Sequence, residues 1–175
     1  MFITVDGVVE SPDQWQEGYF NDEMGQAVEA QAKRSDTMLL GRQTYQEFAS
    51  YWPQQGSDVE MADYMNNTPK LVASTTLTRV DWQNSTLVGG DVVAELTRIK
   101  SQPGRDISIV GSPTLVRSLL AARVLDELTL LQHPIVVGSG VRLFDGMTTQ
   151  VPLTLRDAQT FSTGVQKLTY APADA

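Results

Sequence analysis

The chain has 175 residues, 41% of them hydrophobic, and a formal net charge of −8; this length suits one core-bearing domain spanning residues 1–175, and the acidic balance argues against a nucleic-acid surface, which needs clustered cations. Cysteine is absent and His133 is the single histidine, which excludes disulfides, thiol catalysis and Cys- or His-rich metal centres, so no metal is expected. No apolar run approaches the ~18 residues of a membrane span and the N-terminus carries no secretory signal, so the sequence reads as cytoplasmic, without a membrane partner.

Residues 2–5 (Phe-Ile-Thr-Val) predict a short strand ended by Asp6-Gly7, and residues 10–13 a loop. From Tyr19 to about Lys33, Phe20, Met24, Ala27 and Val28 recur at helical spacing and predict an amphipathic helix. Residues 37–40 follow as a strand and 42–51 as a helix, broken at Trp52-Pro53 because proline cannot continue it. Residues 59–65 read as a short helix, and 71–74 and 85–88 as strands. Val92, Leu96 and Ile99 mark a helix that stops before Pro103-Gly104. After a strand at Ile107, Ser112 is the expected N-cap and Pro113 the first position of a helix burying Leu115, Val116, Leu119 and Leu120. Residues 126–131 open a further strand. Gly138-Ser139-Gly140 forms a loop, and Ser162-Thr163-Gly164 turns between extended segments 151–161 and 165–170. Strand–helix alternation over the first two-thirds predicts an α/β fold with a mostly parallel sheet and flanking helices, closed by an antiparallel hairpin.

Two strand exits carry most of the chemical signal. Leu39-Leu40-Gly41-Arg42-Gln43-Thr44 and Ile109-Val110-Gly111-Ser112-Pro113-Thr114 each end a buried strand at a glycine and start a helix. A helix N-terminus offers unpaired N–H groups and a positive dipole end, which suits phosphate. In that reading Gly41 allows close backbone approach, Arg42 neutralises charge and Thr44 donates from the first turn. The competing reading is two plain strand-to-helix turns, the second well capped by Ser-Pro. Neither segment is a dinucleotide G-x-G-x-x-G fingerprint or a P-loop. Ser74-Thr75-Thr76 reads either as hydroxyls for a sugar or phosphate or as a simple turn. Asp6 reads as a turn former beside Gly7, Trp15 and Trp52 as pocket walls or core, and His133 as a strand-end residue or an acid.

Taken in order, Thr4-Val5-Asp6-Gly7, the block ending at Tyr45, Tyr51-Trp52-Pro53, Lys70 to Ser74, Ile109 to Ser112, Val124 to Leu128 and His133-Pro134-Ile135-Val136-Val137-Gly138-Ser139-Gly140 resemble the dihydrofolate-reductase-like family. That family includes the C-terminal reductase domain of the bifunctional riboflavin-biosynthesis deaminase–reductase. The resemblance implies NADPH as hydride donor, with NADH as the alternative, lying across the carboxyl ends of the strands. It places Gly41, Arg42, Gln43 and Thr44 at the phosphates and Ser74, Thr75 and Thr76 beside the adenosine ribose. Gly111, Ser112, Pro113, Thr114 and Leu115 fall against the pyrophosphate. Relatives carry an arginine where this chain has Thr75, with Arg79 as its only nearby substitute. The carboxylate that orients a pterin falls at Gly25, with Asp22, Glu23 and Glu29 nearby. The first strand is shorter than in relatives, as if the start were truncated.

The resulting expectation is an NADPH-dependent reductase that transfers hydride to a small pterin- or pyrimidine-like heterocycle. Asp6 or a water supplies the proton, and Asp6, Trp15, Phe20 and His133 surround the substrate. The alternatives are a riboflavin-pathway pyrimidine reductase, with Arg34 for the substrate phosphate, and a non-catalytic dinucleotide-binding module. A homodimer is expected to cover apolar strands near Leu128 to Val137.

Overall fold

The computed structural model describes residues 1–173. In chain order its elements are β1 (Phe2–Thr4), α1 (Asp22–Arg34), β2 (Ser35–Gly41), α2 (Arg42–Tyr51), α3 (Ala62–Asn67), β3 (Lys70–Ala73), β4 (Ser85–Val88), α4 (Val92–Lys100), β5 (Asp106–Ile109), α5 (Pro113–Ala121), β6 (Leu128–His133), β7 (Leu153–Thr160) and β8 (Gln166–Pro172). They fall into two compact units, one of Met1–Ala27 with Pro113–Ala175 and one of Val28–Ser112.

The contiguous unit, Val28–Ser112, carries an all-parallel sheet in the order β4-β3-β2-β5. Parallel strands are covered on both faces, so the inner ones read as unbroken apolar runs. Met38, Leu39 and Leu40 of β2 accordingly have almost no exposed surface. Met38, Leu40, Tyr45, Met65, Val72 and Trp82 form the core. The Tyr45 hydroxyl accepts the N–H groups of Asp81 and Trp82 at 2.9 and 3.0 Å, which satisfies backbone donors that burial would otherwise strand.

Lys70, first residue of β3, is 1% exposed. Its ammonium donates to the carbonyls of Asn66, Thr68 and Gln83 at 3.1, 2.8 and 3.3 Å. It also lies 4.2 Å from the centroid of the Trp82 ring. All three of its protons are used, which is what a buried ammonium requires. Loss of hydration still brings its pKa down to about 8.

The discontinuous unit carries a mixed sheet in the order β1-β6-β8-β7, in which β1 is parallel to β6 and the other pairs are antiparallel. β6 has a strand on each side, and Leu128, Leu130 and Leu131 are buried. The apolar surface expected to need a partner along residues 128–137 is therefore mostly covered. Val136 and Val137, past the strand, are exposed.

Two helices begin later than their apolar spacing suggests. α1 starts at Asp22 because the Asn21 side chain accepts the Met24 N–H at 3.1 Å, a side-chain cap that sets the first turn. α3 starts at Ala62 because Met61 sits in the left-handed region, φ 68°, which a helix cannot include. Among the described residues no helix is long and apolar enough to cross a membrane.

Candidate functional site

β2 and β5 are neighbours, with Leu39 in register with Ile109, so both glycine-ended exits leave the same edge of the parallel sheet side by side. Ser112 joins them. Its hydroxyl accepts the Gly41 N–H at 2.7 Å and donates to the Thr44 hydroxyl at 2.8 Å. The expected N-cap role is thus not the one this side chain plays: the hydroxyl is spent across the two turns. Gly111 and Ser112 adopt φ of 78° and 60°, consecutive left-handed residues that aim the serine at β2. A Cβ on Gly41 would stand 2.8 Å from the Ser112 oxygen, and one on Gly111 3.1 Å from Cγ2 of Thr44. Close approach, not chain flexibility, is what demands glycine at Gly41.

α2 opens at Gly41 with no side-chain cap. The N–H groups of Arg42, Gln43 and Thr44 therefore have no acceptor inside the helix, as at any helix start. Arg42 is exposed and donates to Gln46 at 2.9 Å, and Gln43 to Glu47 at 3.0 Å. On the loop after β3, the Ser74 oxygen accepts the N–H groups of Thr76 and Leu77 at 3.1 and 3.0 Å, a hydroxyl-braced turn. Thr75 and Thr76 are exposed there. Arg79 pairs with Asp81 at 3.2 Å on the surface.

Pro113, Thr114 and Leu115 belong to the other unit. Thr114 accepts from Arg117 at 3.0 Å, and Arg117 reaches the carbonyls of Arg142 and Leu143. Leu115 is half-buried rather than fully buried.

Asp6 sits in a turn closed by the Gly7 N–H on the Thr4 carbonyl. Its carboxylate accepts the Thr4 hydroxyl at 2.6 Å and the N–H groups of Gly138 and Val137 at 2.9 and 3.2 Å. The Thr4 hydroxyl and then the Gly138 N–H hold its pKa at about 2. Donors aimed at a carboxylate favour its charged form, so Asp6 anchors the 137–138 backbone as a carboxylate. Arg142 completes the clasp, donating to the carbonyls of Asp6 and Gly138 at 2.9 and 3.0 Å.

Trp15 and His133 are likewise corrected. His133 is 0% exposed, with the rings of Phe2, Trp15 and Tyr19 edge-on around it at 5.8, 5.0 and 5.6 Å. Its Nδ1 bonds the Leu131 carbonyl at 2.9 Å, and Nε2 has no partner among the described residues. Trp15 is buried and donates to the Glu10 carbonyl. Neither ring offers an atom to a ligand in this arrangement, whereas Phe20 is 48% exposed. Arg34 pairs with Asp106 at 2.8 Å on the surface. Of the α1 carboxylates, Glu29 pairs with Lys33 at 2.8 Å. Glu23 accepts the Ser162 N–H at 2.7 Å, the Ser162 hydroxyl and the Asn21 amide, which lowers its pKa. Both are already partnered, and Gly25 has no side chain to orient a pterin.

Burial lowers the His133 pKa from 6.5. The unfolded chain then binds this proton more tightly than the folded one. The stability contributed by the neutral ring is complete above pH 6.5 and is lost as pH falls below it. Unfolding free energy measured from pH 7.5 to 5 should fall more steeply in the wild type than in His133→Gln. Equal slopes would show that folding leaves the imidazole pKa unshifted.

A family model described as the RibD C-terminal domain matches residues 1–167. The uncharacterised protein YyaP of Bacillus subtilis strain 168 is 28% identical over 138 residues, which cover 77% of this chain and 73% of that protein. Among solved structures, a Shewanella sp. PV-4 protein provisionally assigned to riboflavin biosynthesis aligns with a TM-score of 0.78 at 18% identity, over 99% of this chain and 97% of that one. Dihydrofolate reductase from Enterococcus faecalis, solved with NADP(H), aligns with a TM-score of 0.65 at 13% identity, over 99% and 94% of the two chains. The likeness makes the α/β fold dihydrofolate-reductase-like, with its antiparallel strands at the C-terminal end. The chain belongs to the RibD C-terminal domain family, whose fold is that of a reductase domain.

Proposed function

We propose that this protein is an NADPH-dependent reductase acting on a C=N or C=O bond of a small heterocycle. The observation that carries the reading is the Ser112 hydroxyl, which locks two adjacent strand exits into one turn pair below the open start of α2. The N–H groups of Arg42, Gln43 and Thr44 would hold the cofactor phosphates, with Arg42 adding charge. When bound, the nicotinamide supplies the hydride, and the protein contributes placement and electrostatics. The paired carboxylate of Asp6 and the enclosed neutral ring of His133 are unsuited to deliver the accompanying proton, so solvent is its source. The family and the Shewanella neighbour favour a pyrimidine of riboflavin synthesis over dihydrofolate, and Gly25, where a pterin-orienting carboxylate would fall, agrees.

Titration with NADPH and with NADH, followed by cofactor fluorescence, tests this directly. Saturable NADPH binding below millimolar concentration is expected, and none at millimolar cofactor ends the reductase reading. Binding without oxidation by a panel of pterins, pyrimidines and quinones would leave a dinucleotide-binding module instead.

A further inference from the structure

The contiguous unit carries a cleft that none of the turn-pair residues Gly41, Thr44, Gly111 and Ser112 lines. It lies between the second half of α2, α3 and residues 76–83, and its whole lining comes from within Val28–Ser112. Of the segment assigned to the adenosine ribose it shares only Thr76. Its volume of about 950 Å³ sits at the upper end of the roughly 300–1,000 Å³ of small-molecule sites.

The cleft holds a buried donor without an acceptor. Tyr45 is 5% exposed and lines the cleft beside Asp81 and Trp82, whose N–H groups its hydroxyl accepts. Both lone pairs of that oxygen are then occupied, and nothing among the described residues accepts its proton. Buried donors in native structures find a partner.

The groups around it fix the chemistry of that partner. Asn66 accepts the Trp82 indole N–H and gives one amide hydrogen to the Trp52 carbonyl, both at 2.9 Å, which leaves its second N–H. Gln46 accepts from Arg42 at 2.9 Å and keeps its own amide hydrogens. On the accepting side, Gln83 spends its nitrogen on the Asn66 carbonyl at 2.9 Å and retains its amide oxygen. Asp63 takes the Ser57 hydroxyl at 3.0 Å on one oxygen only.

An ammonium brings only donors and would leave the Tyr45 proton unanswered. A phosphate or carboxylate brings only acceptors and would meet Asp63 and Asp81, with Arg79 already paired to Asp81 at 3.2 Å. A hydroxyl gives and accepts at once. Ala49, Pro53 and Leu77 add apolar wall for the C–H face of a ring.

We propose that this cleft binds a neutral polyhydroxylated ring, a sugar or cyclitol, with one of its oxygens accepting from Tyr45. The site is independent of the reductase reading, which the NADPH titration decides separately.

Saturation-transfer NMR on the full chain tests the proposal, with glucose, galactose, maltose, trehalose and myo-inositol each at about 5 mM, above a millimolar Kd. Transfer to at least one of them is expected. Tyr45→Phe should weaken that binding about five- to tenfold, the loss of one hydrogen bond. Ser50→Trp sets a large ring into the cleft from an exposed helix position and should abolish transfer. Thermal melts confirm that each variant is folded, and Ser50→Trp decides if Tyr45→Phe is not. No transfer to any of the five overturns the proposal, as does transfer that Ser50→Trp leaves intact. Spermidine or citrate binding that Ser50→Trp removes, with no sugar bound, would give the cleft to an ion and overturn it too.

Discussion

A Lys70→Met variant is expected to lose about 2–4 kcal/mol of unfolding free energy, measured by urea denaturation at neutral pH. Methionine fills the same channel but donates nothing. The Thr68 and Gln83 carbonyls, at 2.8 and 3.3 Å from the ammonium, then lose their donor; a buried orphan costs about 1–3 kcal/mol, and less on an exposed residue such as Gln83. The Asn66 carbonyl suffers less, because the Gln83 side-chain amide also donates to it at 2.9 Å. The contact with the Trp82 face disappears as well. The pH dependence separates this account from simple loss of packing. With the folded pKa near 8 against 10.5 ordinarily, the unfolded chain holds the proton more tightly. The stability contributed by Lys70 therefore rises with pH between those values, and the gap between wild type and Lys70→Met should widen from pH 8 to 10. A gap that narrows would mean the ammonium is favoured, not penalised, by its surroundings.

Gly111→Val is expected to weaken NADPH at least tenfold and to lower stability by about 2–3 kcal/mol, the left-handed backbone alone costing a residue with a Cβ about 1–2 kcal/mol. The remainder comes from Thr44, whose Cγ2 and Oγ1 lie 3.1 and 3.3 Å from the new Cβ. Moving Thr44 breaks its bond to Ser112 and with it the tie to the Gly41 N–H. Gly138→Val is the matched control, since Gly138 has a similar φ of 84° and nothing within 4 Å of its Cβ position. The backbone strain is the same, and the cofactor affinity should not change. Equal cofactor losses at both glycines would remove the turn pair from the proposed binding role.

Much of this fold is legible because local signals and tertiary needs coincide. α2 and β4 run from Arg42 to Tyr51 and from Ser85 to Val88, as their composition predicts, since Pro53 and Gly89 punctuate them. Ser112 shows the opposite case. Ser-Pro is a strong helix-start signal, yet the hydroxyl serves a strand exit 71 residues away in sequence, which no local pattern encodes. Lys70 is invisible for the same reason. Its acceptors come from residues 66, 68 and 83, and a lysine opening a strand reads as a solvated end. Trp15 and His133 look like ligand-facing singular residues because sequence alone does not reveal that they pack on one another. Asp6 is legible as a turn former, but its hold on Gly138 depends on the pairing of β1 with β6.

That pairing bears on how the chain assembles during synthesis. Phe2, Ile3 and Thr4 find their partners at Leu131, Gln132 and His133, so during synthesis β1 waits for a strand that is made much later. The stretch from Val28 to Ser112 meanwhile holds a complete parallel sheet of its own. Contacts this distant along the chain form slowly, and the apolar residues of β1, Phe2 and Ile3, are the segment a chaperone would find unprotected in the interval.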